Sequence, residues 1–256
     1  MRRKGWWRKW EIRYTEFYIF KNKINKKMLT RNKERILILR FKNLIHHNEL
    51  VYFRGAIINA LQEKNHVLFH NHEGDALRYS YPLIQYKRIG QRASIVCINE
   101  GTEVIGHLLS IGDLTTRLGE KEVELEIDNV KANQIIIQTW DSLFYYHLRK
   151  WLALNQTNYL DFMKLDSLSD KCIFLEKILI GNLLSMGKGI NIQFEKEIIC
   201  KITNIIETTT MTYKNVKMMS FDVEFKSNVS LPDYIGIGKG SSLGFGMVAE
   251  KREKKM

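Results

Sequence analysis

Two groups of residues in this chain have the types and spacing to do chemistry. The first is G-I-G-K-G-S-S-L-G-F-G, residues 236–246, which gathers five of the 16 glycines of a 256-residue chain into eleven positions with Lys239, Ser241 and Ser242. Glycine is placed where the backbone must approach a phosphate or take positive φ, since a Cβ would clash in both cases. Backbone N–H groups beside a lysine make a compact anion site, so Gly238, Lys239, Gly240, Ser241 and Ser242 are candidate phosphate contacts. Three nucleotide-binding loops fail on this segment. A P-loop needs a glycine where Asp233 stands and a Ser or Thr where Gly240 follows Lys239. A dinucleotide fingerprint starting at Gly236 would end on Ser241 and would lie near the start of a βαβ unit. A kinase glycine loop would have its catalytic domain downstream, where only ten residues remain.

The second group is histidine, the side chain that exchanges protons near neutral pH. The chain has seven, at 46, 47, 66, 70, 72, 107 and 147. His70 and His72 lie in F-H-N-H, and an extended backbone there would point both imidazoles to one side. His46 and His47 are adjacent, a few residues before Tyr52. Two imidazoles without a carboxylate or cysteine cluster rarely hold a metal ion, so no metal site and no cofactor is expected. His147 sits among aromatics in F-Y-Y-H-L-R-K-W and reads as a core or interface residue; His66 and His107 have no companions.

The elements that must position these groups follow from hydrophobic period. R-I-L-I-L-R-F, residues 35–41, reads as a strand, and L-V-Y-F-R-G-A-I-I-N-A-L, residues 50–61, as a helix packed on it. Residues 77–101 alternate like two strands joined near Ile89 and Gly90; residues 102–119 return to helical spacing; E-V-E-L-E-I, residues 122–127, has the two-residue period of a strand. The order β-α-β-β-α-β predicts a ferredoxin-like split βαβ. A second α+β unit is expected after about residue 130. There Q-I-I-I-Q-T-W reads as a strand, D-S-L-F-Y-Y-H-L-R-K-W-L-A-L-N as a helix capped by Asp141, and D-K-C-I-F-L-E-K-I-L-I-G-N-L-L-S-M-G as a helix closing on Gly187. G-I-N-I-Q-F, residues 197–207, residues 215–228 and F-G-M-V-A-E-K read as strands of undetermined order. The expected fold class is α+β, with two tandem ferredoxin-like domains at 28–128 and 129–256 behind a basic extension at 1–27. Met28 is an alternative natural opening.

Composition narrows the partners. Forty Lys plus Arg against 28 Asp plus Glu give a formal charge of +12, which favours a polyanion, nucleic acid before membrane surface. The bland reading is a lysine-rich proteome. Three cysteines without C-x-x-C spacing fit a reducing, cytoplasmic setting, and no apolar run is long enough to span a bilayer.

The pattern G-h-G-x-x-x-x-x-G-h-G, with h apolar, is matched by Gly236, Ile237, Gly238, Gly244, Phe245 and Gly246 next to the C-terminus. It resembles the C-terminal glycine-rich loop of RAMP proteins, in particular the CRISPR repeat-processing endoribonucleases of the Cas-six family. Residues 52–87, Y-F-R-G-A-I-I-N-A-L to Y-K, resemble the N-terminal region of one branch of that family. The resemblance covers parts of both halves of residues 28–250, agrees with two ferredoxin-like domains, and implies a metal-independent endoribonuclease acting on CRISPR repeat RNA. In that chemistry a 2′-OH attacks the adjacent phosphate, leaving a 2′,3′-cyclic phosphate and a 5′-OH. One group must take the 2′ proton, another must protonate the leaving oxygen, and a third must stabilise the phosphorane. His70 and His72 are the favoured acid and base, with Tyr52 placing the phosphate; His46 and His47 are the alternative pair, and a merely structural F-H-N-H turn is the third reading. Arg54, Lys87, Arg88, the loop residues 238–242 and the basic tail K-R-E-K-K are the expected RNA contacts. Other CRISPR effector subunits are further candidate partners, as a monomer or homodimer. A non-catalytic RNA-binding RAMP subunit and a basic nucleic-acid-binding structural protein are the competing functions.

Overall fold

The computed structural model describes residues 33–61, 72–73, 76–77, 81–110 and 114–251. His66, His70 and the expected extension at 1–27 lie outside them. The first half runs β1 (Glu34–Leu44), α1 (Leu50–Ala60), a short hairpin β2 (His72–Glu73) and β3 (Ala76–Leu77), then β4 (Ile84–Ile89), β5 (Arg92–Ile98) and α2 (Glu100–Ser110). A second hairpin, β6 (Thr115–Leu118) and β7 (Lys121–Glu124), precedes β8 (Ile127–Ile135). The principal sheet is antiparallel in the order β4-β5-β1-β8, which is the strand order of a ferredoxin-like unit. Strand period decides which side each residue serves. Leu39 and Phe41 of β1 are buried with Leu50, Phe53 and Ile57 of α1, whereas Ile36 joins a different core with Val96 and Ile98 of β5. The stretch D-L-T-T-R-L-G, read from sequence as the end of a helix, instead supplies β6, because Thr116 and Leu118 pair across the turn with Val123 and Lys121.

The second half runs β9 (Thr139–Trp151), α3 (Gln156–Met163), α4 (Leu168–Gly189), β10 (Cys200–Tyr213), β11 (Val216–Val229) and β12 (Met247–Glu250), in a sheet ordered β10-β11-β9-β12. Numbered within its own half, each sheet has the order 2-3-1-4. The expected helix at residues 141–155 is therefore wrong: Thr139–Trp151 is the central strand, hydrogen-bonded to β11 on one side and β12 on the other. Residues 189–194 form the end of α4 and an irregular connection in place of the expected strand. Gly187 lies inside the last turn of α4, not beyond it; its hydrogen faces the Phe194 ring, where a Cβ would stand 2.6 Å from Cε2. The side chain of Ser167 accepts from Asp170 N at 3.0 Å and starts α4, a cap worth ~1 kcal/mol.

Helix α4 buries Leu175, Leu179, Leu183 and Met186 against Leu148, Trp151, Phe221 and Val223 of the second sheet. That core is continuous with Ile36, Val96 and Ile98 of the first sheet, so the two halves share apolar packing. Each fully buried aliphatic side chain contributes about 1.5–3 kcal/mol. Among the described residues no helix is long and apolar enough to cross a membrane.

Candidate nucleic-acid interface

A complete ferredoxin-like unit would place a second helix between its third and fourth strands. Here the connection from β11 to β12 is the glycine-rich loop, and it is held from both sides. From the first half, Tyr81 Oη donates to Gly236 O at 2.8 Å, Gln85 Oε1 accepts from Gly236 N at 2.8 Å, Tyr86 N donates to Ser242 O at 2.8 Å and Lys87 Nζ donates to Ser241 O at 2.7 Å. From the second half, Lys150 O accepts from Gly246 N at 3.0 Å, and Ile237 N donates to Gly246 O at 2.7 Å. Two glycines show why the composition is so biased. A Cβ on Gly236 would lie 2.6 Å from Lys87 Nζ, and one on Gly246, at φ +59°, would lie 1.9 Å from Ile237 O. The loop carbonyls of 236, 241 and 242 are thus taken up by the first half and Lys239 is bridged to Leu152 of the second, while the N–H groups of Gly238, Ser241 and Ser242 have no described acceptor.

Aromatic and basic side chains collect around this loop. The His47 ring packs edge-on to Phe245 at 5.3 Å, and Tyr213, at the end of the long β10–β11 hairpin, packs on Phe245 from 5.4 Å. Lys214 lies 5.9 Å over the Tyr213 ring. Burial, reinforced by the positive charges of Lys150 and Arg88, pushes His47 down to about 4, so its imidazole is neutral at pH 7. Burial likewise lowers Lys150. Arg54 acts on the phenols of Tyr86 and Tyr213, opposing the rise that burial gives each. Lys150 reaches this position through a bulge. Trp151 pairs with Phe221 but Leu148 with Val223, so β9 carries one extra residue and Lys150 takes φ +51°.

The expected site residues separate into several places. Lys239 is exposed on the loop, Gly238, Gly240 and Ser242 are half-buried, and Ser241 is buried. Arg54 lies one turn along α1 from Leu50, whose Cδ1 stands 2.6 Å from where a Gly244 Cβ would be. Arg88 Nε donates to Ile45 O at 2.7 Å and so fixes the turn that carries His46 and His47. Lys87 is corrected outright: it was expected on RNA, but it is fully buried with its amine on the loop carbonyl. Tyr52 is also displaced from its expected place. It is exposed on the opposite side of α1, its ring against Gly119 in a groove lined by Asn59, Arg117 and Lys121. His72 is placed only through its backbone, paired with Leu77 in the small hairpin. Sequence reasoning missed Tyr213, Lys150 and Tyr81. The first two lie at a hairpin turn and a bulge that pattern does not mark; Tyr81 was hidden in what read as a continuous strand. Among the described residues no cluster of His, Cys, Asp and Glu is arranged to hold a metal ion.

Comparison with known proteins fits these two halves and their junction. Residues 32–136 match the Cas6b N-terminal domain and residues 138–251 the Cas6b C-terminal domain. The chain belongs to the Cas6b family. A crystal structure of Cas6b superposes with a TM-score of 0.77 at 27% identity, covering 85% of this chain and all of the other. A second, a crystal structure of the CRISPR RNA processing endoribonuclease Cas6b, gives 0.66 at 27% identity over 86% of this chain and all of the other. An uncharacterized protein of Methanocaldococcus jannaschii is 38% identical over 109 residues, 43% of this chain and 73% of its own length. In this Cas6b chain the domain match changes over at residue 137, between the last strand of the first sheet and the first strand of the second. The glycine loop belongs to the C-terminal domain by sequence and is fastened to the N-terminal domain by hydrogen bonds.

Proposed function

We propose that this Cas6b endoribonuclease cuts CRISPR precursor RNA within its repeats by metal-independent attack of a ribose 2′-OH, leaving a 2′,3′-cyclic phosphate and a 5′-OH. The glycine loop holds RNA backbone through the Ser242 N–H, turned away from the first half, and the exposed Lys239, with Arg54 and Lys214 beside it. His70 and His72 exchange the protons. The observation that carries this is the tie at Tyr81: nine residues after His72 the chain is fastened to Gly236 by the tyrosine hydroxyl. At no more than ~3.6 Å per residue, the nine residues from His72 to Tyr81 bound their separation to about 32 Å. Tyr52, across α1 from the loop, is given no part in the bond-breaking step.

A second reading rests on His47. It packs on Phe245, its imidazole is unprotonated at neutral pH, and Lys150 and Arg88 supply positive charge nearby. A neutral imidazole can accept the 2′ proton, and the cations would stabilise the phosphorane.

One experiment separates these readings. Repeat RNA is incubated with the protein in EDTA, and cleavage is measured for the parent and for His70→Ala, His72→Ala and His47→Ala. Cleavage in EDTA with losses of about 10²–10⁴-fold in the first two variants is expected. A loss confined to His47→Ala transfers the chemistry to the second reading. A strict metal requirement, or cutting that survives 2′-deoxy substitution at the scissile nucleotide, overturns the mechanism; RNA binding without any cleavage would leave a binding subunit.

A further inference from the structure

We propose that Lys87 is a positioning residue for RNA binding: its buried amine holds the Ser241 carbonyl inward and thereby aims the Ser242 N–H outward at the RNA backbone. The proposal rests on the reading of the glycine loop as an RNA contact.

The geometry begins with the peptide unit. A trans peptide is planar, and its C=O and N–H point in opposite directions. The Ser241 carbonyl accepts from Lys87 Nζ at 2.7 Å, so the N–H of the same peptide unit, that of Ser242, is turned away from the first domain. The next carbonyl is fixed in the same sense, because Ser242 O accepts from Tyr86 N at 2.8 Å, and the following N–H, that of Leu243, turns back to Gly240 O at 2.8 Å. Of these two consecutive peptides, the Lys87-bound one alone leaves its donor without a described acceptor. Gly236 completes the fit, since any side chain there would occupy the space of the amine.

A merely space-filling role explains this residue poorly. Lys87 is wholly buried, its hydrogen bond among the described residues is to the loop carbonyl, and burial lowers its pKa to about 7. An unpaired buried amine is costly, and a methionine would fill the same volume without that cost. What methionine lacks is a donor for Ser241 O.

The test uses full-length protein and repeat RNA carrying a 2′-deoxy scissile nucleotide, so that affinity is read without cutting; kcat is measured on unmodified RNA. Lys87→Met is expected to weaken affinity about tenfold, the size of one lost hydrogen bond to an ionisable donor, with a smaller change in kcat. Lys87→Gln, which keeps a shorter N–H donor, is expected to recover part of the affinity. A loss falling mainly on kcat, or no loss in either variant, overturns the proposal. Should Lys87→Met fail to fold, Lys87→Gln is read by the same criterion. The wild-type protein is also read by NMR, where the absence of a through-bond coupling from Lys87 15Nζ to the Ser241 carbonyl overturns the tie itself. Amide hydrogen exchange of residues 238–242 with and without RNA keeps the two claims apart. No protection there removes the loop reading, whereas protection with unaltered affinity in both Lys87 variants removes only the role of Lys87.

Discussion

Replacing Gly246 by alanine should open the glycine-rich loop without unfolding the protein. The methyl group would be built 1.9 Å from Ile237 O, a backbone atom that no side-chain rotation can move aside. Its φ of +59° adds about 1–2 kcal/mol for any residue with a Cβ. Relieving the clash requires parting Ile237 N from Gly246 O, now at 2.7 Å, and Gly246 N from Lys150 O, now at 3.0 Å, at a net cost of about 1 kcal/mol each. The total, about 3–4 kcal/mol, is below the ~5–15 kcal/mol that holds a domain folded, so the loop yields first. Gly181→Ala is the control. Gly181 is exposed on α4, and a Cβ there meets nothing within 4 Å, so alanine should stabilise the helix by about 1 kcal/mol, or raise Tm by roughly 2–4 °C. Thermal unfolding and RNA affinity are measured for both. Gly246→Ala should lower Tm and weaken RNA binding, while Gly181→Ala raises Tm and leaves binding alone. A Gly246→Ala protein with parental Tm and affinity would refute the argument that close packing dictates these glycines.

Three other outcomes are expected. Lys87 has a folded pKa near 7 against 10.5 when unfolded, so between those values the unfolded chain binds the extra proton and stability rises with pH. Relative to Lys87→Met, the parent should gain up to about 5 kcal/mol from pH 7 to 10.5, and parallel denaturation curves across that window would contradict it. Glu176, buried on α4, accepts from Ile202 N at 3.0 Å and from Lys201 Nζ at 3.0 Å; Glu176→Ala should cost about 2–3 kcal/mol in urea unfolding and Glu176→Gln clearly less, because only the alanine strands the Ile202 N–H. If Arg54, Lys150, Lys214 and Lys239 all meet phosphates, the slope of log K against log salt should be near −3 for single-stranded RNA, and Lys239→Ala should reduce its magnitude by about 0.7.

The parts of this chain that sequence discloses are those governed by one local rule at a time. The β1–α1 pair and the β4–β5 hairpin each follow a single period, with Gly90 and Gln91 at positive φ in the turn. Strand β9 does not. Its bulge at residues 149–150 shifts the inward positions from the alternating Tyr146 and Leu148 to Trp151, so Leu148 and Trp151 stand three apart, as they would on a helix face. The same irregularity that disguises the strand as a helix carries Lys150 toward His47, which is why the misread element also hid a charged member of the site. Lys87 misled for the converse reason. An Arg-Lys pair reads as solvated charge, and only the tertiary structure reveals that alternate strand faces separate it into Lys87 under the loop and Arg88 on the Ile45 carbonyl.

The loop's own form follows from what it replaces. A helix between β11 and β12 would satisfy its peptide groups internally and would present side chains to the first domain. A loop in that place must find partners elsewhere, and residues 236, 241 and 242 find them about 150 positions upstream, on Tyr81, Lys87 and Tyr86. Of the three peptides whose carbonyls are drawn inward, those of Ile237 and Leu243 return their N–H groups to Gly246 O and Gly240 O, while that of Ser242 is turned away from the first domain beside Lys239, where it attracts an anion. On this argument the anion-binding character of the loop is a product of the interface between the domains, so severing its inward hydrogen bonds should weaken RNA binding even where every residue facing the RNA is left unchanged.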